Sequence, residues 1–262
     1  MTTPLTFDPV KHAYQLDGKR VPGVTTIIGG GVPKNALPGW YAKQAAEYVR
    51  DNFHTLNPAD PNFVREVAKA PEKTRDTAAA RGTDIHNAGE ALATTGEVDA
   101  SKFAAEIQHY ADWLDEWEVK PMLVERPVFS RDPRYAGTFD LVATSRFING
   151  GKPTMFDLKT SRSVYGDTSL QVAAYAMADK YIDAAGKDKL MPVIEYAAVV
   201  HIRADGVDCH PLCTSRKEIL WAYEQFLAAY ETYKNTNARK KMLRPPLQKA
   251  PLDLYNTLKE TA

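Results

Sequence analysis

The sequence predicts a single α/β domain of 262 residues, in which helices flank a mixed central β-sheet. Between residues 101 and 203, apolar periodicity predicts a helix, three strands, a helix and a strand in that order. Short turns join the three strands, which favours an antiparallel meander. A helix joins the third strand to the fourth, which favours a parallel pair. We therefore expect a mixed sheet with helices on both faces.

The N-terminal part of the chain, residues 1–70, is expected to add a hairpin and helices to this core. The dipeptide Asp17-Gly18 separates two β-type segments and is a strong two-residue turn signal, so residues 7–28 are assigned to a hairpin. The three glycines at 29–31 are expected to interrupt regular structure and to form a flexible connection.

The predicted core covers residues 71–233, and a basic, proline-containing tail covers residues 235–262. Pro71 is expected to begin a helix, because proline is favoured in the first helical turn. The tail is expected to be extended or partly ordered. The predicted helices cover residues 40–49, 71–92, 101–117, 167–180 and 217–233. The predicted strands of the core cover residues 122–129, 136–144, 154–158, 194–203 and 207–212.

Composition and charge exclude several classes of protein. A formal net charge of zero argues against a protein that coats nucleic acid by bulk charge, although it allows a local basic groove beside an acidic site. No apolar run approaches the roughly 20 residues of a membrane span, and the N-terminus lacks the pattern of a secretory signal. We expect a cytoplasmic protein without a membrane partner.

The cysteine content argues against a cysteine-based metal site. The chain has two cysteines, Cys209 and Cys213, and one histidine between them, His210. A structural zinc site or an iron–sulfur cluster needs about four such ligands. We therefore expect semi-buried thiols near a strand end and no iron–sulfur cluster.

The most informative motif is Asp157-Leu158-Lys159 at the end of a predicted strand, together with Asp140 on the strand before it. Two carboxylates can bind a hard divalent cation through oxygen. A lysine beside them can hold the attacking water or help to deprotonate it. Two other acid-x-Lys triplets, at 17–19 and 118–120, lie in a turn and at a helix end, so neither has a partner acid on a preceding strand.

Both aspartates interrupt strands that are otherwise apolar. A carboxylate in such a place must be paired, hydrogen-bonded or bound to a metal. A structural salt bridge between Asp157 and Lys159 is one interpretation. We favour metal binding, because burying an unpaired charge is costly and two acids occur on adjacent strands.

Four segments occur in the order Arg81-Gly82-Thr83-Asp84-Ile85-His86, Gly137-Thr138-Phe139-Asp140, Asp157-Leu158-Lys159-Thr160 and Gln171-Val172-Ala173-Ala174-Tyr175. Together they resemble the PD-(D/E)XK nuclease superfamily, in its RecB-like exonuclease branch. The resemblance covers roughly residues 75–205 and implies a PD-(D/E)XK-type core. The His12-x-Tyr14 hairpin and Val24-Thr25 are similar to phage-encoded members, which implies a location in the host cytoplasm.

The resemblance implies roles for individual residues. Magnesium or manganese would be the cofactor, and an imidazole ligand suits manganese better than magnesium. Lys159 would be the catalytic lysine, and Gln171 and Tyr175 would support the catalytic site and the nucleic-acid strand. The implied metal ligands are His86, Asp140, Asp157 and the backbone carbonyl of Leu158.

Further residues are candidates for accessory roles. Glu90 lies one helical turn after His86 and could support the metal ligands from outside. Glu125 could assist the site or pair with a neighbouring arginine, and the sequence leaves both open. The candidates for contact with DNA phosphates near the motifs are Arg81, Arg126, Arg131, Arg134 and Arg162.

These features together predict a divalent-metal-dependent DNA exonuclease that hydrolyses phosphodiester bonds. One alternative is a structure-selective endonuclease acting on flap or branched DNA. Another is a non-catalytic protein that binds DNA ends as a recombination partner. DNA is the expected partner. Because the chain has no Gly-Lys-Ser/Thr phosphate-binding loop, a helicase or recombinase would be a separate chain.

Overall fold

The computed structural model describes residues 4–8, 11, 13–96 and 103–246. His12, the start of the predicted helix at 101 and most of the predicted tail lie outside the described residues. The helices are α1 Val24–Gly31, α2 Leu37–Asp51, α3 Phe63–Thr95, α4 Ala104–Glu116, α5 Thr168–Ala176, α6 Arg216–Lys234 and α7 Thr236–Lys240, with a short 3-10 turn at Asn149–Gly151. The strands are β1 Leu5–Asp8, β2 Ala13–Leu16, β3 Lys19–Val21, β4 Lys120–Arg131, β5 Arg134–Thr144, β6 Thr154–Lys159, β7 Lys180–Ile182, β8 Asp188–Leu190, β9 Tyr196–Arg203 and β10 Gly206–Cys213.

The central sheet has seven strands in the order β10-β9-β6-β5-β4-β7-β8. Strands β4, β5 and β6 form an antiparallel meander, and β6 pairs with β9 in parallel. Both features were predicted. A tight turn can only join antiparallel strands, whereas a connection through a helix can return the chain to the end of the sheet where the previous strand began. The α/β class with a mixed, helix-flanked sheet is therefore confirmed.

Apolar side chains cover both faces of this sheet. On β6, Met155 faces a core built with α1, α5 and α6, whereas Phe156 faces a core built with α3 and α4. Successive strand residues point to opposite faces, so a strand buried on both sides is apolar almost throughout. Asp157 follows on the Met155 side and is a buried acid within this strand. Within the described residues, no helix has the length and apolarity to cross a membrane.

The N-terminal hairpin is confirmed and is larger than predicted. Asp17 and Gly18 both have positive φ angles, 51° and 73°. A two-residue hairpin turn of type I′ requires a positive φ at both central residues. Strand β1 adds a third strand next to β2, and its pairing was not predicted. The Tyr14 hydroxyl lies 3.0 Å from the Thr138 hydroxyl, which fastens this small sheet to β5.

The prediction for the three glycines was wrong, and the hairpin predicted over residues 7–28 extends too far, because residues 24–28 lie in α1. Residues 29–31 are the last turn of α1. A Cβ atom at Gly31 would lie 2.1 Å from the carbonyl oxygen of Ala229, and one at Gly30 would lie 2.8 Å from the Tyr233 ring. Glycine is therefore needed for close packing of α1 against α6, which favours helix over a flexible connection.

Several other boundaries also differ from the prediction. Helix α3 begins at Phe63 and continues through Pro71, which is buried inside it instead of starting it. Packing of the surrounding turn maintains the helix although proline removes one backbone hydrogen bond. Helix α5 ends at Ala176, so Lys180 lies in β7, which pairs with β4. Residues 236–240 of the predicted tail form α7.

Candidate metal centre and active site

Helix α3 crosses the end of β6 at close range because of two glycines. A Cβ atom at Gly89 would lie 3.4 Å from the Leu158 side chain, and one at Gly82 would lie 3.2 Å from the Thr160 hydroxyl. Small residues allow a helix to approach a strand this closely. The close approach explains why His86, which lies between the two glycines, reaches the backbone of the Asp157-Leu158-Lys159 segment.

The peptide groups of Leu158 connect the histidine to the first aspartate. The Nε2 atom of His86 donates to the Leu158 carbonyl oxygen at 2.8 Å. The Leu158 N–H donates to Oδ2 of Asp140 at 2.6 Å. The other imidazole nitrogen, Nδ1, lies 3.7 Å from Oδ1 of Asp140. The structure thus brings together the predicted ligands His86 and Asp140 and the predicted carbonyl ligand.

Glu125 joins this group from β4. Val124 pairs with Leu141 and Arg126 pairs with Phe139, so Glu125 lies opposite Asp140. Its φ angle of 46° is unusual for a residue other than glycine and marks a local distortion of the strand. The side-chain ligand atoms of His86, Glu125 and Asp140 all lie within 4.8 Å of one another. Of the two possibilities left open, this geometry favours assistance to the site.

A small cavity opens on these three side chains. The exposed Glu90 lines it, together with Gly89 and Tyr110. The negative charge of Glu90 contributes to the electrostatic environment of Glu125. Glu90 therefore lies beside the candidate ligands, and a supporting role for it stays a prediction.

Asp157 is the most deeply buried acid of the site, with 2% of its surface exposed. Its Oδ2 atom lies 2.6 Å from Nζ of Lys159. Lys159 is therefore the charged partner of this oxygen, and no other described residue donates to it. Burial raises the pKa of Asp157 and the Asp140 charge raises it further, whereas Lys159 and His86 oppose the change.

Lys159 remains an ammonium group in this environment. Burial lowers its pKa, but the charges of Asp157 and Asp140 outweigh burial, so the net change is upward. An ammonium beside a carboxylate can hold a water molecule or stabilise negative charge. It can act as a base only after it loses a proton, and the charges of Asp157 and Asp140 oppose that loss.

The half-buried Glu125 has a pKa far above its ordinary value. Burial raises its pKa to about 8, with further contributions from the charges of Asp140, Glu90 and Asp157. Several carboxylates therefore share one half-buried pocket with too little positive charge. Oxygen donors in that arrangement suit a hard divalent cation.

Gln171 and Tyr175 lie on the same face of α5, as the sequence predicts, and touch each other. The amide Nε2 of Gln171 donates to the Tyr175 hydroxyl at 3.4 Å. Tyr175 is buried over Gly137, where a Cβ atom would lie 2.5 Å from the ring. Burial raises the tyrosine pKa well above its usual range, and the Asp157 and Asp140 charges add to this. The glycine three residues before Asp140 therefore makes room for the tyrosine.

Three of the five candidate arginines already bind protein groups. Arg81 forms an ion pair with Glu106, and its guanidinium lies over the Phe103 ring. The other two hold the N-terminal sheet: Arg131 bonds Asp17 at 3.3 Å, and Arg134 donates to the Leu16 carbonyl at 2.7 Å. These contacts give all three a structural role, and DNA contact by them stays a prediction.

The remaining two arginines have more freedom. Among the described residues, the half-buried Arg126 and the exposed Arg162 take part in no ion pair. Arg126 lies next to Glu125, and Arg162 follows the Asp157-Leu158-Lys159 strand by a few residues. They are the better placed candidates for phosphate contact.

The two cysteines are free thiols on β10 and pack into different cores. Cys209 packs with the core that contains Val200, and Cys213 belongs to the core that contains Phe226. Because these cores lie on opposite faces of the sheet, the two thiols cannot bind one metal ion together.

Sequence reasoning did not detect His201 as a neighbour of the site. His201 lies on β9 and is the register partner of Lys159 in the parallel β6–β9 pair. It is buried, with 5% of its surface exposed. The strand over 194–203 was predicted, but its register against β6 has no signal in the sequence.

Comparisons with known proteins add little to this description. No family model matches the chain, and no curated protein matches it. The solved structure described as "Crystal structure of SSO0001" is 14% identical, with 73% of this chain and 85% of that chain covered. Its TM-score of 0.25 is too low to carry an argument about fold or function.

Proposed function

We propose that the protein is a divalent-metal-dependent deoxyribonuclease that degrades DNA from an end. The observation that supports this most strongly is the convergence of His86, Glu125 and Asp140 beside the Asp157–Lys159 pair. Acidic groups at such distances repel one another unless a cation is present. Lys159 lies beside these acids, and a metal site with a purely structural role would not need a lysine.

The donor set fits magnesium or manganese. Asp140, Asp157 and Glu125 offer carboxylate oxygens, the Leu158 carbonyl offers a neutral oxygen, and His86 offers a nitrogen. A bound divalent cation would polarise a phosphodiester and lower the pKa of a coordinated water. The histidine favours manganese relative to magnesium, because imidazole is a borderline ligand.

The remaining residues orient the reacting groups. Lys159 lies against Asp157 and would hold the attacking water or stabilise the charge that develops on the phosphate. Gln171 lies beside the buried Tyr175 hydroxyl and is only partly buried itself, so its amide can contact the nucleic-acid strand.

The preference for DNA ends rests on the resemblance, because the set His86, Gln171 and Tyr175 is similar to exonucleases of the RecB-like branch. End dependence requires a narrow passage that admits one strand and positions it by phosphate contacts. Helices α2 and α3 and the N-terminal sheet, which is fastened to β5 through Tyr14 and Thr138, are the segments available to form its walls.

The decisive experiment compares end-labelled linear duplex, linear single strands and covalently closed relaxed circles, each with magnesium, manganese, calcium or excess chelator. We expect linear substrates to be shortened from an end with magnesium or manganese and circles to be spared. Calcium should occupy the site without supporting chemistry. Asp157→Asn, purified in parallel, is the control for contaminating nucleases.

Two other outcomes have defined meanings. Circles cut as fast as linear DNA, with internal fragments before mononucleotides, would replace the exonuclease by a structure-selective endonuclease. Binding to DNA ends without hydrolysis under any cation would identify a non-catalytic end-binding protein.

A further inference from the structure

A second histidine, His201, forms a hydrogen bond with the backbone just after Lys159. His86 bonds the carbonyl of Leu158, just before the lysine, at 2.8 Å. The Nε2 atom of His201 lies 2.6 Å from the carbonyl oxygen of Ser161, just after it. Lys159 therefore lies between two imidazole–carbonyl hydrogen bonds, one from α3 and one from β9.

The neighbours of His201 determine its tautomer and ring orientation. A carbonyl oxygen only accepts hydrogen bonds, so Nε2 must carry the proton. A guanidinium only donates, and NH1 of Arg203 lies 3.0 Å from Nδ1 of the same ring, so Nδ1 is the acceptor. Arg203 is itself held by Asp208 at 2.8 Å and by Asp205 at 3.0 Å. His201 is thus fixed at both nitrogens.

The same region has the composition of a metal site, but the hydrogen bonds argue against one. Ligand atoms of His201, Asp208 and His210 lie within 4.8 Å of one another. The Arg203 guanidinium already bonds both the His201 ring and the Asp208 carboxylate, so a positive charge is in place. A metal ion there would have to displace that guanidinium and break the connection to Ser161.

We infer that His201 is a positioning residue that holds the end of β6 in place, so that Lys159 stays beside Asp157 during turnover. This inference rests on the proposed nuclease function. His86 and the Leu158 carbonyl are both proposed metal ligands, so the bond between them belongs to the proposed metal centre itself. The bond from His201 to Ser161 involves no proposed ligand.

The effect should appear in turnover more than in binding. His201→Leu removes both hydrogen bonds with little change in volume, and we expect kcat to fall by about 10- to 100-fold, as for other residues that orient a site from outside. We expect KM and manganese affinity to change little. His201→Gln keeps a donor near the Ser161 carbonyl and should restore most of kcat.

His210→Ala is the matched control. His210 is exposed, and its ring centroid lies 6.0 Å from that of His201, but it takes no part in the hydrogen bonds that hold Ser161. We expect wild-type kcat for this variant. If zinc binds the wild type and is lost in both His201→Leu and His210→Ala, the cluster is a metal site and the positioning role is overturned.

Measurements that do not depend on nuclease activity can test the role of His201 separately from the proposed function. Imidazole NMR of the wild type should show the Nε2-protonated tautomer of His201, and amides 159–163 should exchange hydrogen faster in His201→Leu. If the wild type has no nuclease activity but exchange depends on His201, the proposed function fails and the fastening role stands without a role in turnover.

The remaining outcomes test whether His201 contributes to turnover. If the wild type is active and His201→Leu keeps its kcat, the inference is overturned. If His201→Leu does not fold, Arg203→Met removes the donor at Nδ1 and leaves the imidazole in place. We expect Arg203→Met, like His201→Leu, to lower kcat and to leave KM unchanged. An unchanged kcat for Arg203→Met would also overturn the inference.

Discussion

The imidazole of His86 donates to the carbonyl oxygen of Leu158 at 2.8 Å, although 72 residues separate them in the chain. A carbonyl oxygen only accepts hydrogen bonds, so Nε2 carries the proton, and Nδ1, which lies 3.7 Å from Oδ1 of Asp140, is the nitrogen that could bind a cation. A carbonyl oxygen has two lone pairs, so Leu158 could bind a cation and keep this hydrogen bond. Under the proposed assignment, His86 would both orient the Leu158 carbonyl and contribute to metal affinity.

The first prediction concerns the identity of the metal. We expect His86→Ala to weaken manganese binding by at least about tenfold and magnesium binding by less, because imidazole is the borderline ligand in an otherwise oxygen-donor set. Calorimetric titration of both ions into metal-free protein measures this. Equal losses for the two ions would show that His86 acts through the Leu158 backbone and is not itself a ligand.

The second prediction separates the catalytic and structural roles of Asp140. Asp140→Ala and Asp140→Asn should both abolish metal-dependent cleavage, because neither offers a carboxylate. The Leu158 N–H donates to Oδ2 of Asp140 at 2.6 Å, and an asparagine oxygen can still accept it. We therefore expect only the alanine variant to lose stability, by about 1–3 kcal/mol in urea unfolding. A folded variant with near wild-type cleavage would refute the ligand assignment.

The third prediction assigns Lys159 to chemistry instead of metal binding. Lysine is not a ligand here, so Lys159→Ala should keep most of the manganese affinity and lose about 10²- to 10⁴-fold in turnover. Calorimetry and single-turnover cleavage on the same preparation separate the two effects. Loss of metal binding with an intact fold would instead indicate that the ion pair with Asp157 is structural.

The fourth prediction concerns stability without metal as pH changes. The folded pKa of Glu125 is raised to about 8 from an ordinary 4.5. Between these values the folded protein keeps a proton that the unfolded chain has released, so raising the pH favours unfolding. The stability present below the ordinary value should be lost as pH rises towards 8. Asp157 has a raised pKa and contributes in the same direction.

Urea unfolding in chelator, followed between about pH 5 and pH 9, tests this sign. Glu125→Gln has no titrating group at this position and should flatten the profile. Added manganese should stabilise the wild type most at the alkaline end, where the carboxylates are ionised. A wild-type profile that rises across this range would contradict the raised pKa of Glu125.

Much of the grouping of these side chains was predictable, because the residues conflict with their local pattern, whereas their roles as ligands and in catalysis stay predictions. Asp140 and Asp157 are acids within apolar strands, and their positions on an antiparallel pair follow from the short turns between them. His201 was not predictable as a neighbour of Lys159, because that contact depends on the register of a parallel pair formed through a helix crossover. Strands of three residues, such as β7, carry too little pattern to be detected.

The glycines of α1 show the same limit for the fold, and they supply the last prediction. Their local sequence suggests a break, but their packing partner on α6 lies almost two hundred residues later, where Ala229 leaves no room for a Cβ atom at Gly31.

Gly31→Ala should therefore destabilise the protein by about 1–3 kcal/mol, as overpacking does. In contrast, a Cβ atom at Gly39 in α2 would have no neighbouring atom within 4 Å, so Gly39→Ala should be neutral or stabilise by up to about 1 kcal/mol. Thermal and urea unfolding of the two variants compare the same chemical change in a packed and an open helix. Equal effects would mean that α1 and α6 do not pack as closely in solution as the structure shows.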